Sequence, residues 1–545
     1  MNGEFNVIKL TKRIICIIFA VITAVSFSSC DPDDGSGYIF KYDINANPSN
    51  LDPQLAQDSA SMLVLANICE GLFKAGAGGK IENGVITEYT MSNDELTYTF
   101  SLKNNVYWKG TGDYEANMTA NDFVFAFQRI FDPETHSPYA DDFSCIKNSS
   151  AVLRKVMDQD ALGVKAIDKY TLEITLESPN ANFLYLLTTT AAMPCNEYFF
   201  RSTMGKYGLS DATTFSNGDF YLKEWNYDPY WDNNYIILRR NPKNSESEYV
   251  YPYSINFFIK SDMTQFEADY LSEETDLIIS NGTNKDIFKK SRSIEYQISS
   301  AGLIFNQNNE ILANANIRKA LSESIDRDKF GQYDNLNPAF GIVPPDVSLL
   351  NKSYRELASE RSLGNFNAKY ALTDWVNGLN ELDMVTADGM AIMVSEDFYD
   401  PEALRDVTDQ WNEKLGFMCG LEIVSQNEYD DRMESGDYEM AVTELTCEYN
   451  SPIAVLEDFT IGNERNIFGF SDMSFDGLLK KFRNSSSLND SVSYLSGAEK
   501  QIISANIYVP LYYPTNYLLY TDKASDVEFN PFSEQIYFAD AKYFK

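Results

Sequence analysis

The sequence predicts an α+β protein built from several lobes, and three observations carry that prediction. Its 545 residues are enough for roughly three domains, and 44% of them are apolar, which is enough to fill several cores. Strand-like alternation and helix-like periodicity are interspersed along the chain without the strict repetition of a βαβ fold. Beyond the first thirty residues there is no internal repeat and no apolar run long enough to span a membrane.

The first element is an export signal. Lys9, Lys12 and Arg13 precede the apolar run "IICIIFAVITAVSF", Ile14 to Phe27, and the small residues Ser28 and Ser29 lead into Cys30. A charged start, a short apolar stretch and a small-residue cleavage site are the anatomy of a secretory signal. The run is shorter than the roughly 20 residues a membrane span needs. Its end, "FSSC", resembles the lipobox of bacterial lipoproteins, with Phe27 where Leu or Val is usual. The resemblance implies that residues 1–29 are removed and that Cys30 carries lipid. Residues 30–37 hold the acidic, Gly-containing "DPDDGSG", a solvated tether.

The next elements alternate in type. "LTYTFSL" sets Leu96, Tyr98, Phe100 and Leu102 against Thr97, Thr99 and Ser101, a half-buried strand. "TLEITLES" repeats the pattern with Leu172, Ile174 and Leu176. "TANDFVFAFQRIF" begins with a Thr119 cap and Asp122 three residues on, then places Phe123, Phe127 and Ile130 on one helical face. "NANIRKALSESID" aligns Ile317, Leu321 and Ile325 in the same way.

Composition removes several functions. The net charge is −36, and the signal is itself basic, so the mature chain is more acidic still; nucleic acid and anionic lipid faces would be repelled. The five cysteines beyond Cys30 (Cys69, Cys145, Cys195, Cys419 and Cys447) lie at long spacings with no C-x-x-C. They read as buried hydrophobes with at most some pairing, and not as a zinc or redox site. The single histidine, His136, sits in the turn-like "DPETHSPYA", which removes a Ser-His or Cys-His apparatus and imidazole metal sites. "GAGGK", Gly76 to Lys80, lacks the spacing of a phosphate-binding loop and reads as a Gly-rich turn. No catalytic residue, metal or cofactor is expected.

The order of segments carries more than any one of them. The chain reads "NPSNLDPQLAQDSASMLVLANICEGLF", "SNDELTYTFSLKNNVYW", "TANDFVFAFQRIFDPETHSPYA", "LGVKAIDKYTLEITLESPNANFL", "FSNGDFYLKEW" and "NANIRKALSESIDRDKF". In that order they resemble the bacterial extracellular solute-binding proteins of family 5, and within it the oligopeptide-binding lipoproteins of ABC importers. The resemblance implies a periplasmic-binding-protein-like clamp of two lobes with an extra domain inserted in the first. Residues 38–75, 200–298 and 512–545 would form lobe I, 76–199 the inserted domain and 299–511 lobe II. It further implies an oligopeptide ligand in the cleft, permease subunits as partners, a monomer, and attachment to the outer face of the cytoplasmic membrane through lipid on Cys30.

"TELTCEYNSP", Thr443 to Pro452, is where peptide-binding relatives usually read Gly-Trp-x-x-Asp-Tyr-x-x-Pro. Alignment on Tyr449 and Pro452 puts Glu448 in the place of the Asp that binds the peptide ammonium, and Leu445 in the place of the Trp. Upstream, Gln426 replaces a second Trp. The resemblance implies Glu448, Tyr449, Tyr139 of "SPYA" and Tyr512 of "VPLYYPTNY" as ligand-contacting residues, and Arg432 is the basic residue nearest to meet a ligand carboxylate. Two other readings stand beside it. The same clamp could hold a non-peptide solute, although lost Trp residues disfavour an oligosaccharide and one histidine disfavours a metal chelate held by imidazole. An exported hydrolase would need two acids converging about 5–9.5 Å apart, for which Glu444 and Glu448 are the candidates.

Overall fold

The computed structural model describes residues 37–544 apart from 113–114, 231–232, 245–248, 359–362, 364–365, 388, 399 and 486. The signal segment, Cys30 and nearly all of the tether lie outside these residues. Among the described residues no helix is long and apolar enough to cross a membrane.

The first lobe is built on a four-stranded sheet. Ile39–Ile44 runs parallel to Ser254–Ile259, and Tyr235–Arg240 and Phe220–Asn226 follow antiparallel. The helix Ser59–Ile68 lies against it, started by Asp58, whose carboxylate accepts from the Ser61 amide at 2.8 Å. Leu277–Ser280, Asn516–Thr521 and Ser291–Tyr296 make a smaller antiparallel sheet in the same lobe.

The inserted domain has its own sheet, in the order Ile86–Met91, Thr97–Leu102, Thr171–Thr175 and Val164–Asp168. The predicted alternation holds: Tyr98, Phe100 and Leu102 are buried while Thr97, Thr99 and Ser101 are only half-buried. Helix Ala120–Ile130 carries the expected capping box, with the Thr119 amide donating to Asp122 Oδ2 at 2.7 Å, and it buries Phe123, Phe127 and Ile130. These side chains join Trp108, Leu172 and Ile174 in a core separate from that of the lobes.

The second lobe is a mixed six-stranded sheet: Leu336–Pro338, Tyr508–Pro514, Ser299–Phe305, Met440–Thr446, Met390–Ser395 and Cys419–Val424. Helices Ala315–Glu323, Ala368–Glu381 and Arg405–Leu415 pack against one face, with Ile317, Leu321, Trp375 and Trp411 buried. Ile325 is also buried, but just past the end of its helix.

The chain passes between lobes twice, at Gln297 and Ile298 and again at Thr515. The crossings are tied together: Gln297 Nε2 donates to Thr515 Oγ1 at 2.8 Å, as does Asn337 Nδ2. Two short adjacent crossings are the usual make-up of a hinge. The return crossing corrects the boundary at 512. The strand Tyr508–Pro514 keeps its pairing within the second sheet to its last residue, Pro514 opposite Leu336, so the chain re-enters the first lobe only after Thr515.

Candidate ligand-binding cleft

The strand Met440–Thr446 leads into the stretch singled out in the sequence. It pairs along its whole length with Ser299–Phe305, from Met440 opposite Phe305 to Thr446 opposite Ser299. On its other edge the parallel pairing with Met390–Ser395 comprises only Ile392 with Met440 and Met393 with Ala441. The Tyr429 hydroxyl donates to Val442 O at 2.9 Å, and from Thr443 to Thr446 that edge meets no further strand among the described residues. Glu444 lies within this strand, and burial raises its carboxyl above the ordinary range.

Beyond the strand, each residue faces a different environment. Cys447 is fully buried, its amide donating to Ile298 O at 2.9 Å beside the first crossing, and burial pushes its thiol up. Glu448 is exposed: its side chain keeps 61% of its surface, and Oε2 takes a 2.9 Å ion pair from Arg465. The Tyr449 hydroxyl donates to Glu457 Oε1 at 3.0 Å, and its ring meets Tyr185 of the inserted domain at 5.4 Å between centroids. Asn450 is buried and bridges two regions. Its Oδ1 accepts from the Ser348 amide at 2.6 Å, and its Nδ2 donates to the carbonyls of Gly78 and Gly79, both at 3.0 Å.

The Gly-rich turn has a place here after all. Gly78 and Gly79 have φ of 64° and 69°, and a Cβ on Gly79 would lie 2.5 Å from the Phe532 ring, so this close approach requires glycine. Next to it, Asn351 accepts from the Ile81 amide at 2.9 Å and donates to the Ile81 carbonyl at 3.0 Å. Its side-chain amide thereby imitates one residue of a pairing strand.

The other implied contacts fare differently. Tyr139 is half-buried and its hydroxyl donates to Ala56 O in the first lobe, so its polar end is used for joining domains. Tyr512 is a correction. It is fully buried in the second-lobe core, its ring 5.0 Å from Phe330, because both faces of Tyr508–Pro514 are covered; it does not line the cleft. Arg432 is held by Glu422 at 3.0 Å and Glu428 at 3.6 Å. His136 is an exposed turn residue with φ of 53°. The five described cysteines are all free thiols. Arg465, Asn450, Asn351 and Tyr185 were missed, since each acts through a partner far away in the chain.

Comparison with known proteins adds the relationship. The sequence profile described as "Bacterial extracellular solute-binding proteins, family 5 Middle" matches residues 80–466, most of the chain. The chain belongs to this family. It is 27% identical over 530 residues to the oligopeptide-binding protein OppA of Bacillus subtilis, covering 92% of each chain. It is 25% identical over 520 residues to the dipeptide-binding protein DppE of the same organism, again covering 92% of each. Among solved structures it is similar to the substrate-binding domain of an oligopeptide ABC transporter from Bacillus anthracis. That likeness has a TM-score of 0.65 at 25% identity and covers 93% of this chain and 99% of the other.

Proposed function

We propose that this protein is the extracytoplasmic substrate-binding lipoprotein of an ABC importer, taking an oligopeptide between its lobes and delivering it to membrane permease subunits. The observation that carries the reading is the open edge Thr443–Thr446, which ends two residues before the exposed carboxylate of Glu448. An extended peptide adds to such an edge through backbone hydrogen bonds, which are indifferent to its side chains. Its terminal ammonium then needs a partner, because a charge enclosed without one is costly. Glu448 supplies it: Oε1 accepts no hydrogen bond among the described residues. The two Bacillus subtilis relatives, an oligopeptide-binding and a dipeptide-binding protein, support the same ligand class.

In this reading residues 38–75, 200–298 and those after Thr515 are lobe I, 76–199 the inserted domain and 299–514 lobe II. Closure about the two crossings encloses the peptide and presents one surface to the permease. The monomer is held at the outer face of the cytoplasmic membrane by lipid on Cys30; acyl chains on a mature N-terminal Cys30, read by mass spectrometry, check the anchor.

Calorimetric titration with a mixed-sequence pentapeptide pool, free and N-acetylated, tests the ligand. Free peptides should bind at least about tenfold tighter, a difference of about 1.4 kcal/mol. Glu448→Gln should erase that preference. Equal affinity for both forms removes Glu448 from the site, and uptake of an oligosaccharide or metal chelate in place of any peptide transfers the clamp to another solute.

A further inference from the structure

A lone glutamate is a poor anchor. Its side chain has three rotatable bonds, and ordering it when a ligand arrives costs on the order of 1 kcal/mol. Glu448 is not alone. Arg465 Nη2 lies 2.9 Å from Oε2, while Arg465 Nη1 lies 3.9 Å from Oδ1 of Asp458, an acid that is itself nearly buried. The guanidinium therefore spans two carboxylates that stand ten positions apart in the chain.

The loop that carries Arg465 is braced. The Arg465 amide donates to Asn463 Oδ1 at 2.9 Å, and Asn463 Nδ2 donates to Glu457 O at 2.8 Å. Asn466 Nδ2 reaches the carbonyls of Phe459, Thr460 and Phe470 at 3.2, 3.1 and 2.8 Å. A guanidinium on so tied a loop can hold a neighbour in place, and its planar fork loses less freedom per hydrogen bond than an ammonium would.

Charge distinguishes two roles for Arg465. Were it to cancel the local charge, it would compete with an incoming ammonium. It does not cancel it: Glu448 and Asp458 face one guanidinium, and Glu457 has its own partner in Arg483 at 2.8 Å. Among the described residues one negative charge of this pair of acids remains, and one oxygen of Glu448 is occupied. We infer that Arg465 is a positioning residue for Glu448, holding its carboxylate in one orientation so that the free oxygen is presented to the ligand's ammonium. The inference rests on the proposed role of Glu448 and adds the group that makes a longer side chain serviceable there.

The test titrates wild type, Arg465→Ala and Arg465→Lys with the free and N-acetylated pentapeptide pools, with thermal unfolding as a control for folding. Arg465→Ala should lower affinity for free peptides about two- to tenfold, leave acetylated peptides unchanged, and be partly rescued by Arg465→Lys. If Arg465→Ala binds free peptides more tightly, Arg465 is a competitor and the inference is wrong. Equal losses for both pools would make its role merely structural and would also overturn it. A wild-type preference for free peptides that is undiminished in Arg465→Ala sinks this inference alone, whereas no preference in the wild type sinks it together with the role of Glu448.

Discussion

The inserted domain meets its two neighbours through different chemistry. Toward the first lobe, Arg129 is buried with Asp52, donating to Oδ1 at 2.9 Å and pairing closely with Oδ2, and it donates to Gln54 Oε1 at 2.6 Å. Gln54 is fully buried and donates to the carbonyls of Ala191 and Met193 at 3.1 and 2.9 Å. Tyr139 and Ser137 add bonds to the Ala56 and Gln54 carbonyls. Toward the second lobe, the polar contacts among the described residues are neutral, chiefly the amides of Asn450 and Asn351 on the turn Gly78–Ile81, with the Tyr185 and Tyr449 rings beside them. A buried ion pair cannot be opened cheaply, since each charge would be stranded, whereas an amide released from a carbonyl finds water. The comparison predicts which joint should move: the inserted domain should travel with the first lobe, and the second lobe should swing against both.

Arg129→Met is the harshest way to break this contrast. It leaves Asp52 buried and unpaired and should destabilise the protein by about 3–5 kcal/mol in urea unfolding. Adding Asp52→Asn should restore part of the loss, because the two sites share one network. An effect below about 1 kcal/mol would mean that the joint is no stronger than the amide side.

The same helix carries a pH-sensitive group. Burial holds Asp122 at about 6, above the ordinary carboxylate range, although Thr119 and Asn196 donate to it. A carboxyl raised in the fold binds its proton more tightly there than in the unfolded chain. Its contribution is therefore fully present below about pH 4 and lost as pH rises to about 6. Unfolding at pH 4 and pH 7 should show this loss, on the order of 2 kcal/mol, in the wild type and a smaller one in Asp122→Asn. Equal losses in the two proteins would assign the effect elsewhere.

How much of this was legible follows from distance along the chain. The strand Thr97–Leu102 and the Thr119 cap are local patterns of two to four residues, and both stand in the structure as read. Tyr512 misled because all seven residues of Tyr508–Pro514 are buried, so no alternation marks which face meets the cleft. Tyr139 looked like a ligand residue, yet its hydroxyl bonds Ala56, 83 positions earlier. Arg465 follows Glu448 by 17 positions on an irregular loop, and Asn351 finds Ile81 across 270. Asparagine in a turn is so ordinary that its composition signals a bend and nothing of what the amide reaches.

Asn450→Ala is the gentlest and most informative break. Removing the amide strands the Ser348 donor and releases the Gly78 and Gly79 carbonyls, which water reaches once the turn lifts, so the loss should be about 1–2 kcal/mol. Its location matters more than its size. Hydrogen exchange should quicken at residues 76–81, while the strands Thr97–Leu102 and Thr171–Thr175 and the helix Ala120–Ile130 keep their protection, because their core and the Arg129 network are untouched. Exchange that quickens throughout the inserted domain would mean that the amide clasp, and not the buried ion pair, holds it in place, reversing the assignment of the moving joint.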